Sequence, residues 1–177
     1  AWVRELKSPI RFYFKWDEDR ALSLANWLAK WNATLLRMTP TLPHLYDTRV
    51  EYARETIETW SDYTSVLAQG WEDCDSLAAA YAGLLLARGW KALRTGDPGY
   101  AEARARRLST IPAEVIFHSY TERNQPGLTH VLVRYRVGSQ FYFEDPSARL
   151  GMYGGRRMSA KETQQKLATI RRGLEAA

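Results

Sequence analysis

The longest apolar pattern in the chain follows its only cysteine, Cys74. From residue 77 onward, apolar side chains recur at helical spacing and the intervening positions are mostly Ala and Gly, which predicts a helix buried on nearly all sides. Gly83 weakens such a helix, so we expect another backbone to approach it closely there. Arg88 and Gly89 provide a C-terminal stop. Cys74 is thus predicted to lie in the first turn of a central helix.

Two further helices are predicted before the cysteine. Residues 10–16 read as an aromatic strand, and the acids at 17–19 begin a helix that ends near Arg37. One face of that helix carries Leu24, Leu28, Trp31 and Leu35, and we assign Trp27 and Trp31 to the core. A capping-box pattern at 48–51 then predicts a second helix that runs to Gln69 and Gly70. The acidic positions 51, 55, 58 and 62 would form its solvated face.

The second half of the chain reads mainly as strands. Residues 100–108 predict a short helix, and strands are predicted at 113–120, 129–137 and 140–145. Gly138 and Ser139 form a two-residue hairpin turn. A final basic helix, 159–174, is capped by Ser159 and Glu162. Helices followed by an antiparallel sheet define an α+β domain.

Composition is consistent with one domain over residues 1–177, since this length can bury a proper core. Hydrophobic residues make up 45% and charged residues 25%, an ordinary balance for a globular protein. A single cysteine excludes an internal disulfide. We find no apolar run near the ~20 residues of a membrane span and no signal peptide at the start of the sequence. These observations predict a cytoplasmic protein that does not contact membranes.

Charge is distributed unevenly along the chain, whose formal net charge is +5. Residues 41–76 are rich in acids and residues 148–177 are rich in Lys and Arg. The basic tail, together with Arg104, Arg106 and Arg107, offers an alternative role in contacting nucleic acid or an acidic partner. We favour the simpler interpretation that the tail is a solvated helix face, with Lys161, Arg171 and Arg172 exposed.

The predicted position of Cys74 favours a reactive thiol. The N–H groups and the dipole at a helix N-terminus stabilise an anion, which lowers the pKa of a thiol placed there. Asp73 and Asp75 oppose this shift by like-charge repulsion, so a reactive thiolate needs a cationic partner. The alternative is an inert core cysteine acting as a small hydrophobic side chain.

Three histidines are candidates for that partner: His44, His118 and His130. With a two-residue turn at 138–139, residue 132 pairs with Asp145, so His130 and Asp145 lie diagonally on one sheet face. Asp145 could then accept from one ring nitrogen of His130 and fix its tautomer. His118 remains the alternative base, because no pattern in the sequence determines the position of its strand.

These residues carry a resemblance. The segment 73–78 around Cys74 resembles the nucleophile motif of the transglutaminase-like superfamily, a permuted relative of papain-like cysteine proteases. The segments 130–133 and 141–147 resemble its His and Asp motifs, and the match covers about residues 70–147. The chain is also similar to short transglutaminase-like proteins encoded in tailed-phage genomes. The resemblance implies a papain-like α+β fold with the Cys-bearing helix packed on the antiparallel sheet. Within the single domain we distinguish an N-terminal strand and helices (1–69), which match no known family motif, the core (70–147), and a loop with the basic helix (148–177).

The resemblance implies a Cys74–His130–Asp145 triad that transfers acyl groups from amide or peptide bonds of a protein substrate. The chain departs from the family at Glu72, where the family usually has Gly. Gln69 and Trp71 are candidate donors to the substrate oxyanion, after the backbone N–H of Cys74.

The alternative function is a catalytically silent fold that serves as a virion or assembly component among protein neighbours. The virion would then be its location. The sequence predicts no metal site, because one Cys and three scattered His lack ligand spacing, and it implies no cofactor.

Overall fold

The computed structural model describes residues 18–54, 59–122 and 125–175. Its helices are α1 (Glu18–Met38), α2 (Tyr63–Gln69), α3 (Cys74–Arg88), α4 (Tyr100–Ala105), α5 (Pro146–Arg149) and α6 (Ala160–Glu175). Its strands are β1 (Glu51–Tyr52), β2 (Trp71–Glu72), β3 (Ala113–Glu122), β4 (Gln125–Val137) and β5 (Gln140–Glu144). The α+β class is confirmed. The strand predicted at 10–16 lies outside the described residues.

Helix α3 is the central element, as predicted. Every residue from Asp75 to Leu85 is buried. The helix packs against α1 on one side and against β3 and β4 on the other. It ends at Arg88, followed by Gly89 with a positive φ of 55°. The apolar pattern after the cysteine therefore identified both the burial and the end of this helix.

The closest approach to α3 is made by α1 at Gly83. A Cβ built on Gly83 would lie 2.6 Å from Cβ of Asn32 and 3.0 Å from the carbonyl oxygen of Ala29. Atoms this close must move apart, so only glycine fits at this crossing. The predicted backbone contact is confirmed, and α1 is the element that makes it.

The same crossing explains why the prediction for Trp27 and Trp31 was wrong. Both side chains are exposed, by 53% and 36%, and their rings stack with centroids 6.2 Å apart. The face of α1 that meets α3 instead carries small residues, among them Ala25 and Ala29. An indole cannot fit where two backbones approach this closely, so the tryptophans lie on the opposite side.

The helix predicted over 48–69 was also wrong. Thr48 forms a turn in which its hydroxyl donates to the carbonyl of Leu45 (2.6 Å) and accepts from the N–H of Val50 (3.2 Å). The chain then enters β1, which pairs in parallel with β2. Only α2 is helical in the described part of 48–69, and it begins after Asp62, whose Oδ1 accepts from the N–H of Ser65. Side chain to backbone bonds here outcompete the helix.

The three longer strands form an antiparallel sheet in the order β3–β4–β5. Val137 lies opposite Gln140, which confirms the two-residue turn at Gly138 and Ser139. On the other side of β4, His118 lies opposite His130 in the ladder. The sheet thus provides the register from which the predicted pairing of His130 and Asp145 was derived.

The capping box of the last helix is confirmed. The backbone N–H of Ser159 donates to Oε2 of Glu162 (2.8 Å), and the N–H of Glu162 donates to Oγ of Ser159 (3.3 Å). Thr163 and Leu167 are buried while Lys161 is exposed, so α6 has a packed and a solvated face. The side chains of Arg171 and Arg172, which were predicted to be exposed, lie outside those described. No helix in the described ranges is long and apolar enough to cross a membrane.

Replacing Gly83 with Ala tests the close crossing of α1 and α3. Helix propensity alone would stabilise α3 by about 1 kcal/mol. The added Cβ meets Asn32 and Ala29, and overpacking of this kind costs about 1–3 kcal/mol. We therefore expect a net loss in the free energy of unfolding, measured by urea denaturation. A gain in stability would contradict the crossing described here.

Candidate functional site

Cys74 is the first residue of α3 and is partly exposed. Asp73 precedes it in an extended conformation, and the carbonyl of Asp73 accepts the N–H of Leu77 (3.2 Å), which closes the first helical turn. The N–H groups of this turn lie at the positive end of a 15-residue helix. This position favours negative charge on the sulfur, and it exposes the sulfur at the edge of an otherwise buried helix.

His130 and Asp145 form a buried hydrogen-bonded pair. Nε2 of His130 lies 2.9 Å from Oδ2 of Asp145, and the two side chains are 3% and 1% exposed. Asp145 also caps α5, because its Oδ1 accepts the N–H of Ala148 (3.0 Å). A carboxylate only accepts, so Nε2 is the protonated ring nitrogen. Proton exchange with a thiol would therefore run through Nδ1.

The cysteine and the histidine–aspartate pair belong to elements that pack together. Helix α3 contacts β4, which carries His130, and α5, which Asp145 caps. The short β1 links the same two regions through its backbone. Tyr52 lies opposite Glu72, just before the cysteine, and the N–H of Tyr52 donates to the carbonyl of Leu150 (3.0 Å), just after α5.

Tyr52 is a site residue that the sequence analysis missed. Its side chain is half-buried. Burial raises the pKa of Tyr52 to about 12, and the nearby charges of Cys74, Asp73 and Asp145 act in the same direction. Cys74 and Asp145 thus both raise the pKa of the same phenol, that of Tyr52. The helix wrongly predicted over 48–69 gave no reason to expect Tyr52 near Cys74.

The other two histidines have different surroundings. His44 is structural: its Nδ1 accepts from the N–H of Tyr46 (3.0 Å), its Nε2 donates to the carbonyl of Ala92 (2.8 Å), and burial lowers its pKa to about 4. His118, the alternative base, has its backbone directly across from His130. Its side chain is not among those described, and the bond to Asp145 belongs to His130.

The two predicted oxyanion donors differ in their engagement. Nε2 of Gln69 donates to the carbonyl of Trp71 (3.1 Å) and lies 3.5 Å from Oε2 of Glu72. Its amide is therefore used within the turn before the cysteine. Trp71 lies on β2 and is 42% exposed. Both side chains are exposed, and the Gln69 amide is the one that bonds within this turn.

A second polar cluster lies behind the pair. Glu144 is fully buried; Oη of Tyr46 donates to its Oε1 (3.3 Å), and Nη1 of Arg149 lies 3.7 Å from the same oxygen. Arg149 is closer to Asp97, at 3.0 Å, and its guanidinium lies over the ring of Tyr46. Burial raises the pKa of Glu144 to about 8, and the more distant Arg149 offsets this only in part.

The described residues contain no group of three or more His, Cys, Asp or Glu side chains that could hold a metal ion. Comparisons with protein-family models, curated proteins and solved structures find no match to this chain.

Glu144 should make stability depend on pH. Its pKa is about 4.5 unfolded and about 8 folded, so between these values the unfolded chain loses a proton that the folded chain keeps. The free energy of unfolding should then fall as pH rises through this window, by an amount on the order of a few kcal/mol. Glu144→Gln removes the charge and should flatten this fall, measured by urea denaturation from pH 5 to pH 8.5.

The control for this experiment is Glu114→Gln. Glu114 is a half-exposed acid that pairs with Arg134 on the sheet surface. Because it is solvated, its replacement should leave the pH dependence of wild type unchanged. Equal pH slopes in wild type and Glu144→Gln would show that the Glu144 carboxyl is not a buried neutral acid.

Proposed function

We propose that this protein is a transglutaminase-like cysteine enzyme that transfers acyl groups from amide or peptide bonds. Cys74 is the nucleophile, His130 the general base and acid, and Asp145 the group that orients the imidazole. One observation carries the proposal. A buried, hydrogen-bonded His130–Asp145 pair lies on elements packed against the helix that begins at Cys74.

The reaction follows from the roles of these groups. His130 takes the thiol proton through Nδ1, and the thiolate attacks the amide carbonyl carbon. The carbon–nitrogen bond then breaks, and His130 returns the proton to the leaving amine, which leaves a thioester on Cys74. Water or a second amine, deprotonated by His130, then attacks the thioester carbon; the carbon–sulfur bond breaks, and the Cys74 thiolate takes the proton back from His130. Water as acceptor makes a peptidase or amidase, and an amine makes a transglutaminase.

Asp145 contributes by position. Both of its oxygens accept a hydrogen bond, one from His130 and one from the helix cap, so the carboxylate cannot rotate freely. The imidazole is thereby held in the tautomer whose Nδ1 can accept a proton. The imidazolium formed during attack is stabilised by the same carboxylate. This division of roles is the one that activates a weak nucleophile in unrelated hydrolytic sites.

The second candidate is a catalytically silent fold in a virion or other assembly. One observation favours it: the stacked Trp27 and Trp31 rings on the exposed face of α1. Exposed aromatic groups of this size are enriched in protein interfaces. This role requires no reactive thiol, so reactivity of Cys74 distinguishes the two candidates.

The test is the rate of Cys74 alkylation by iodoacetamide from pH 5 to pH 10. The helix N-terminus and His130 should keep alkylation fast below the free-thiol pKa of ~8.5, although Asp73 and Asp75 reduce the shift. His130→Ala should slow alkylation at pH 6 by about ten-fold or more, since each pKa unit changes the thiolate fraction about ten-fold. At pH 9 its effect should be small, and Asp145→Ala should act in the same direction but less strongly.

Two variants complete this experiment. Cys74→Ser should abolish labelling, since the chain has no other cysteine. His118→Ala is the matched control: it should leave the profile unchanged if His130 is the base, and reproduce the loss at pH 6 if His118 is. A wild-type profile that follows a pKa near ~8.5 and is unaffected by His130→Ala would exclude the enzyme and favour the assembly role.

A further inference from the structure

We propose that the hydroxyl of Tyr52 is the side-chain donor to the oxyanion that forms when Cys74 attacks an acyl carbonyl. The inference rests on the proposed function and adds to it a residue that binds the reacting group. It adds Tyr52 to the donors expected from the sequence, Gln69 and Trp71. Three observations support it: the anchoring of Tyr52, the protonation of its phenol, and the charge of the surroundings.

Tyr52 is anchored by backbone bonds on two sides. Its N–H donates to the carbonyl of Leu150 (3.0 Å), and the next residue, Ala53, donates to the carbonyl of Glu72 (2.9 Å). Arg157 holds the preceding segment, with one guanidinium nitrogen 2.6 Å from the carbonyl of Val50. A donor held in this way needs no rearrangement when charge develops, which is the condition for effective oxyanion stabilisation.

The phenol remains a donor throughout the working pH range. With a pKa of about 12, Tyr52 keeps its proton at any pH at which the triad would operate. It is also half-buried, so the side chain is partly shielded from water. A hydroxyl that is partly removed from water forms a stronger hydrogen bond to an anion than a fully solvated hydroxyl does.

The surroundings require such a donor. An oxyanion beside Cys74 would form near the carboxylates of Asp73 and Asp145, which repel it. The backbone N–H of Cys74 can supply one hydrogen bond from the helix terminus. Gln69 is engaged with Trp71 and Glu72 and does not offer its amide. Tyr52 combines an uncharged donor with a backbone paired to Glu72, two residues before Cys74.

Two probes separate an oxyanion donor from other roles. p-Nitrophenyl acetate acylates the thiol through a tetrahedral oxyanion: the sulfur–carbon bond forms, the ester carbon–oxygen bond breaks and p-nitrophenolate leaves. Iodoacetamide alkylates the same sulfur by displacement of iodide, without an oxyanion. Tyr52→Phe removes only the hydroxyl. It should slow acylation about ten-fold or more, while alkylation should change less than about three-fold.

Tyr142→Phe is the matched control. Tyr142 is a half-buried tyrosine on β5 whose ring packs against Tyr135, and its replacement should leave both rates unchanged. Circular dichroism should show that each variant is folded.

The outcomes distinguish this inference from the proposed function. If wild type reacts with both probes as an ordinary thiol and is indifferent to His130→Ala, the proposed function fails. If acylation is fast and depends on His130 but is unchanged in Tyr52→Phe, only the role of Tyr52 fails. If Tyr52→Phe slows both probes equally, the hydroxyl acts on the thiolate or on the fold, and the oxyanion role is overturned.

Discussion

The burial of α3 determines where the chemistry of this protein can occur. A helix that is covered on all sides has only its ends left to solvent, and Cys74 occupies the N-terminal one. The close crossing at Gly83 holds α1 on one face, which leaves the opposite face to β3 and β4. His130 lies on β4, which packs against α3. The packing that stabilises the core therefore also brings the helix of Cys74 to the strand of His130.

The charges around Cys74 include several carboxyl groups that disfavour a thiolate. Asp73 and Asp75 flank the thiol, Glu72 is buried just before it, and Asp145 is buried beside the histidine. A thiolate here depends on the helix terminus and on a protonated His130 to offset the surrounding carboxylates. Both oxygens of Asp145 accept hydrogen bonds, one of them from His130. Burial and the acidic surroundings also raise the pKa of Tyr52, which keeps its phenol protonated and able to donate a hydrogen bond near the sulfur.

The parts of the structure that could be predicted from sequence are those determined by near neighbours along the chain. The burial of α3, the turn at Gly138 and the capping box at Ser159 each follow from residues within one element or one hairpin. The pairing of β1 with β2 could not be predicted in this way. Each strand has only two residues and no alternating pattern, and each is extended because of its distant partner.

The exposure of Trp27 and Trp31 has a similar origin. Hydrophobicity alone assigned these side chains to the core, whereas the decisive factor was the distance between α1 and α3. Within the candidate site, the hydrogen bond between His130 and Asp145 could be predicted from the hairpin register. The position of Tyr52 could not be predicted, because it depends on the short parallel pairing of β1 with β2.

Glu144 and Asp145 are adjacent carboxyl groups with different surroundings. Glu144 lies in the dry cluster of Tyr46 and Arg149, where burial raises its pKa to about 8 and favours the neutral acid near pH 7. Asp145 instead accepts hydrogen bonds from Nε2 of His130 and from the N–H of Ala148 at the helix cap. If both carboxyl groups were charged, their negative charge would add to that of Asp73 and disfavour a thiolate at Cys74. A neutral Glu144 limits the negative charge behind the site, so the proposed chemistry is favoured at a pH high enough to ionise Cys74 and low enough to keep Glu144 protonated.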